Sequence, residues 1–139
     1  MIAQVAGRRV DRVAWVAAGM TVGGKPVEEV GTPIRQSGGR LVRLRTVDGG
    51  EWLGPPNQLV VSRRGKPFSP IGDPLPRAAA AVQLHDHLCR PGGRMARWEP
   101  VVEQAHLVSD EPLYRVDTSD AELDVNGYLV KTSEAFTTD

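Results

Sequence analysis

The stretch from Gly38 to Ser62 restricts the fold of this chain more than any other part of it. Arg40, Val42, Leu44 and Thr46 fall on one side of an extended backbone, and Leu41, Arg43, Arg45 and Val47 fall on the other. That two-residue period is the signature of a strand. Asp48-Gly49 follows, and Gly supplies the positive φ that a short hairpin turn needs, so Glu51-Trp52-Leu53 is read as the returning strand. Gly54-Pro55-Pro56-Asn57 breaks the pairing, and Gln58 to Ser62 reads as a further strand. The chain carries 15 Gly and 11 Pro in 139 residues, which favours many short elements joined by turns over long helices. Strands separated in this way describe a small, strongly bent, SH3-like barrel of about five strands. This is an analogy of architecture and by itself implies no function.

Before this region, Gln4 to Val16 carries Val5, Val10, Val13 and Val16, and its β-branched residues favour a strand from Arg8 to Val16 over a helix, with Gly7 able to turn a hairpin. After it, Arg63 to Leu75 holds Pro67, Pro70 and Pro74 and reads as an extended linker. One helix is expected next, from Pro76 to about Cys89. Pro76 suits a first helical position, Ala78 to Ala81 have high helix propensity, and Pro91-Gly92-Gly93 ends the run. Its apolar stripe is Ala81, Leu84 and Leu88. Strands then resume over Val101 to Val108, Leu113 to Thr118 and Tyr128 to Thr132, with Asn126-Gly127 as a second hairpin turn. The expected organisation is a basic β-barrel-like unit at 1–66, a Pro-rich linker at 67–75, and a helix with a smaller acidic β unit at 76–139.

The two β regions align with each other. Thr46 to Ser62 lies over Thr118 to Ser133 with Thr46 on Thr118, Glu51 on Glu122, Leu53 on Leu123, Leu59 on Leu129 and Val60 on Val130. Pro26-Val27 and Pro100-Val101 open the two units. An internal repeat would account for this, as would the general likeness of any two hairpins rich in β-branched residues.

Charge is distributed unevenly along a neutral chain. Residues 1–77 hold 12 Lys/Arg against 6 Asp/Glu, and residues 78–139 hold 5 against 11. Such asymmetry points to polyanion binding or to one half covering the other. Arg43 and Arg45 project from one strand face, with Arg40, Arg63, Arg64 and Lys66 close in sequence. Several cations on one surface are what phosphate binding needs, and Trp52 on the partner strand offers a stacking face for an unpaired base. The competing reading places Arg43 and Arg45 on a solvated sheet face and Trp52 in the core.

Other chemistry has less to build on. His85 and Cys89 would share a helix face at i, i+4, with His106 as a third ligand, but three His and one Cys cannot supply a four-ligand zinc site without a carboxylate, and the spacing matches no zinc motif. A Cys89–His85 or Cys89–His106 dyad is equally unsupported by spacing. Gly23-Gly24-Lys25 lacks the remaining residues of a phosphate-binding loop. No cofactor, metal or catalytic residue is assigned. One cysteine allows no internal disulfide, charged residues interrupt the N-terminal apolar segment, and no run approaches the roughly 20 apolar residues of a membrane span. A cytoplasmic protein with no membrane association is expected. Its function is expected to be non-catalytic binding, contacting nucleic acid through Arg40, Arg43, Arg45, Trp52, Arg63, Arg64 and Lys66. The alternative is a protein-interaction or self-assembly module whose charged halves complement each other. A zinc- or thiol-dependent enzyme is the more distant alternative.

Overall fold

In the computed structural model, which describes residues 8–65, 72–92 and 94–138, short antiparallel strands account for most of the chain. In chain order they are β1 (Arg8–Ala17), β2 (Thr21–Val22), β3 (Lys25–Pro26), β4 (Thr32–Ile34), β5 (Arg40–Thr46), β6 (Glu51–Gly54) and β7 (Leu59–Arg63). They continue as β8 (Pro74–Ala78), β9 (His87–Arg90), β10 (Arg97–Val108), β11 (Leu113–Thr118), β12 (Glu122–Val125), β13 (Tyr128–Lys131) and β14 (Ser133–Thr138). A four-residue helix, α1 (Val27–Val30), follows β3, and a 3₁₀ turn spans Ala79–Ala81.

Among the described residues the strands form two open sheets and no closed barrel. The smaller sheet has the order β14-β1-β11-β4, and the larger runs β3-β2-β12-β13-β7-β9-β10-β5-β6, with β8 added to β7. Strands from both ends of the sequence alternate in both sheets: β1 pairs with β11 and β14, β5 with β10, and β7 with β9 and β13. The expected SH3-like closure fails because β10 is long and bent. Its first residues pair with β9 and its remainder with β5, with a register shift between Val101 and Glu103. Such an irregularity turns the strand and lets it serve two partners instead of closing a short meander.

The β5 pattern is as read from sequence. Val42, Leu44 and Thr46 are buried on one face, while Arg43 and Arg45 point away from it. The turn to β6 uses Gly49 at φ 84, with the Thr46 N–H donating to the Gly50 carbonyl at 3.0 Å. Asn126 and Gly127, at φ 53 and 89, turn β12 into β13. Both turns need the left-handed conformation that Gly and Asn tolerate. The core is built mainly of valines around Trp52, Tyr128, Leu44 and Leu88. The Gly7 hairpin lies outside the described residues.

The expected helix at 76–89 does not form. Pro74–Ala78 is a strand, only Ala79–Ala81 is helical, and His87–Arg90 is β9. Leu88 is buried at 1% exposure, but Leu84 is 51% exposed and Ala81 is also exposed, so no helical stripe exists. Two causes outweigh the alanine run. Pro76 drives Leu75 toward extended backbone, and Pro74 and Pro76 suit β8 because it pairs only with β7 at the sheet margin. Leu88 and Cys89 then gain cross-strand partners in Glu99 and Trp98, burial that local propensity cannot match.

The two aligned β units meet at their matched residues: Val60 of β7 pairs with Val130 of β13. Their remaining pairing differs. β12 and β13 pair with each other, whereas β6 pairs with β5.

Candidate functional site

The cations that the sequence groups together are dispersed by the fold, and most find carboxylates. Arg43 Nη2 lies 2.6 Å from Glu103 Oε1, and Arg45 Nε lies 3.0 Å from Glu51 Oε2 with its Nη1 3.8 Å from Glu103 Oε2. The hydrogen bond from Arg43, with the charges of Arg43 and Arg45, holds the Glu103 carboxyl below its ordinary range. This face of β5, β6 and β10 is therefore close to neutral. Arg64 Nε sits 3.1 Å from Asp86 Oδ1, without hydrogen-bond alignment, and Asp86 is 1% exposed. Arg63 donates to the Gly72 carbonyl at 2.8 Å and lies 5.2 Å from the centre of the Trp98 ring. Arg40 is exposed and has no carboxylate partner among the described residues. Lys66 lies outside them. Trp52 is 1% exposed, so its ring is a core element and not a stacking platform.

The basic and acidic halves thus complement each other inside one chain. Arg12–Glu134, Arg43–Glu103 and Arg64–Asp86 each join a residue from before the 67–75 stretch to one after it. A fourth carboxylate, Glu99, is 3% exposed and accepts from Thr46 Oγ1 at 2.9 Å, Arg90 Nε at 3.0 Å and Tyr128 OH at 3.1 Å. Burial alone would raise its pKa. Hydrogen bonding from Thr46 and Tyr128 and the charge of Arg90 outweigh it and hold the carboxyl below its ordinary range. This network is enclosed, and it braces β5, β9, β10 and β13 against one another.

The His-Cys group is equally dispersed. With 85–89 no longer helical, His85 and Cys89 do not share a helix face. His85 is exposed in a turn at φ 74, and Cys89 is 3% exposed in β9. Burial pushes the Cys89 thiol up, away from the thiolate that nucleophilic chemistry needs. Among the described residues no group of three or more His, Cys, Asp or Glu is placed to hold a metal ion.

A concavity lies elsewhere, between the small sheet and the loops that flank β5 and β6. It is a cleft of about 580 Å³ lined by Trp15 of β1, Ile34 of β4, Leu113 of β11, the Gln36–Gly38 loop, Arg40 and the Pro55–Asn57 turn. Trp15 and Leu113 come from neighbouring paired strands, β1 and β11. Ile34 pairs with Leu113 across the β4–β11 edge. The amide Nε2 of Gln36 is buried with no acceptor. Immediately behind the cleft, Gln58 Oε1 accepts the Trp15 N–H at 2.8 Å, and Gln58 Nε2 donates to the carbonyls of Lys131 at 3.0 Å and Leu59 at 3.2 Å. One buried side chain therefore ties β1 of the small sheet to β7 and β13 of the large one.

None of these cleft residues except Arg40 stands out in the sequence. The Pro55-Pro56-Asn57 run reads only as a strand breaker, and nothing local indicates that Trp15, Gln36 and Leu113 converge. The available signal is a polar residue, Gln58, at the head of an otherwise apolar run.

No protein-family model matches this chain, and a search of curated proteins finds no match. Among the described residues no helix is long and apolar enough to cross a membrane. Among solved structures, the chain is similar to the PabCDC21-1 intein, with a TM-score of 0.55 and 14% sequence identity over 68% of this chain. The match takes in 54% of the intein, so the likeness spans about half of that protein's length. At this identity the likeness is one of fold alone.

Proposed function

We propose that this chain is a non-catalytic binding module that engages a protein partner through the cleft beside Trp15. The observation that carries this reading is the cleft itself: a concave site of about 580 Å³ whose apolar wall of Trp15, Ile34, Pro55 and Leu113 is flanked by Gln36, Asn57 and Arg40. Sites that bind ligands share this combination of apolar walls and a few fixed polar groups. The ion pairs between the two halves support the same reading, because they account for much of the charge split without an external polyanion. The test is selection of displayed random peptides against the intact chain, followed by backbone NMR with an enriched peptide. Shifts confined to Trp15, Ile34, Gln36 and Asn57 are expected. Enriched peptides that perturb only other surfaces would refute the cleft as the binding site.

Contact with nucleic acid is the second reading. It is supported by the Arg63 guanidinium stacked on Trp98 and by Arg40, neither of which has a carboxylate partner among the described residues. Fluorescence anisotropy with single-stranded and duplex oligonucleotides tests it. Arg40→Ala and Arg63→Ala should each weaken binding and lower the salt slope by roughly one unit for every phosphate no longer neutralised, whereas the Arg43→Ala/Arg45→Ala pair should do less. Absence of binding at about 50 mM salt, where non-specific association is strong, removes this reading. A cytoplasmic setting belongs to the proposal and is supported by the single, buried Cys89. So does a duplicated strand–turn–strand unit, supported by the pairing of Val60 with Val130.

A further inference from the structure

The polar lining of the Trp15 cleft is unbalanced. It comprises Gln36, Ser37, Asn57 and Arg40, which supply one fixed positive charge and no carboxylate. Arg40 is exposed and lies within 4 Å of no carboxylate among the described residues, unlike Arg43 and Arg45 on the same strand, so its charge in the cleft is not neutralised by a carboxylate there. Gln36 also lines the cleft, with its Nε2 turned away from solvent. An ionised acceptor is the group Arg40 would hold best, since charge-assisted hydrogen bonds are roughly twice as strong as neutral ones. Trp15, Ile34, Pro55 and Leu113 meanwhile offer an apolar wall, with Ile34 38% exposed despite its position next to the buried Leu113.

We propose that the cleft recognises an acidic–apolar peptide segment, with a large aliphatic or aromatic side chain against Trp15 and Leu113 and an adjacent Asp or Glu carboxylate at Arg40. This rests on the protein-binding reading of the same cleft. A volume of about 580 Å³ lies within the range that holds drug-sized ligands, which suits a short segment of a partner and not a whole folded surface. The carboxylate sets the choice of partner and the apolar side chain supplies the buried area. Salt weakens the first of these contributions more than the second, because the Arg40 side of the cleft is open to solvent.

The experiment uses the full chain and three capped, amidated, fluorescein-labelled peptides that share a central Leu-Phe pair and differ only in having Glu, Gln or Lys on either side of it. Anisotropy is expected to show the Glu peptide binding about tenfold more tightly than the Gln peptide, with the Lys peptide weakest. Arg40→Gln should bring the Glu peptide down to the affinity of the Gln peptide and leave the Gln peptide unchanged, while Arg40→Lys restores most of the preference. Circular dichroism checks that these surface variants fold. Equal affinity for the Glu and Gln peptides, or a Glu preference that survives Arg40→Gln, overturns the carboxylate assignment while leaving a protein-binding cleft intact. Failure of all three peptides to bind, with no shift at Trp15 or Gln36 by NMR, overturns both the assignment and the protein-binding reading.

Discussion

Replacing Gln58 by Ala tests whether one side chain couples the two sheets. Gln58 is 5% exposed, and its amide makes three hydrogen bonds, to the Trp15 N–H, the Lys131 carbonyl and the Leu59 carbonyl. Alanine removes all three and leaves the Trp15 N–H and the Lys131 carbonyl without these partners in a largely dry junction. An orphaned buried group costs about 1–3 kcal/mol, so the two losses together amount to about 2–6 kcal/mol. That is a large share of the roughly 5–15 kcal/mol by which domains are stable. For a chain of this length it corresponds to a fall in Tm of roughly 8–24 °C, read by calorimetry or by circular dichroism at matched protein concentration. Gln58→Glu sharpens the test, because the carboxylate still accepts from Trp15 but cannot donate to Lys131. Its deficit relative to the parent should shrink as the pH is lowered and the acid regains an O–H donor. A Tm for Gln58→Ala within about 2 °C of the parent would show that the junction relaxes or hydrates freely, and the coupling role would be refuted.

Four further outcomes follow from the packing and the titrating groups. Leu88→Ala should cost about 2–5 kcal/mol in urea titration, because its side chain is 1% exposed, while Leu84→Ala, at 51% exposure, should stay within about 0.5 kcal/mol. Gly50→Ala should lower Tm clearly, since a Cβ there would collide with the Tyr128 hydroxyl and crowd the Arg90 guanidinium, both of which hold Glu99. Glu99 has a folded pKa below its ordinary value near 4.5, so its stabilisation is fully present above that pH and is lost as the pH falls through the folded value. The stability difference between the parent and Glu99→Gln should therefore narrow below about pH 4.5. His87 is held neutral by burial and by the Arg63 charge, with its folded pKa below 6.5. Stability should decline as the pH falls below that value, less so in His87→Gln, as measured by urea midpoints.

Among the described residues seven Arg side chains lie within 4 Å of a carboxylate, and four of the pairs, Arg12–Glu134, Arg43–Glu103, Arg45–Glu103 and Arg64–Asp86, join the basic to the acidic half. Counting charge along the chain therefore overstates the charge available to a partner. Individually such pairs add little stability at the surface, and their main effect here is to neutralise the face of β5.

Local order was written in the sequence wherever it depends on near neighbours. The alternation of Arg40 to Thr46, the Asp48-Gly49 and Asn126-Gly127 turns, β1 and the extents of β11 and β13 are all legible, because period-2 burial and positive φ are properties of a few adjacent residues. The burial of Trp52 was legible only as the alternative to stacking, because a strand residue's two faces cannot be told apart until the sheet is packed. The tertiary structure decided the rest. It turned Pro74–Ala78 and His87–Arg90 into strands against the alanine run, because pairing with β7 and β10 buries Leu88 and Cys89. It bent β10 so that open sheets replaced a barrel, and it brought Trp15, Gln36, Pro55 and Leu113, up to 98 positions apart, to one cleft. Those outcomes rest on long-range pairing, whose free energy depends on which strands meet, and no window of adjacent residues records that.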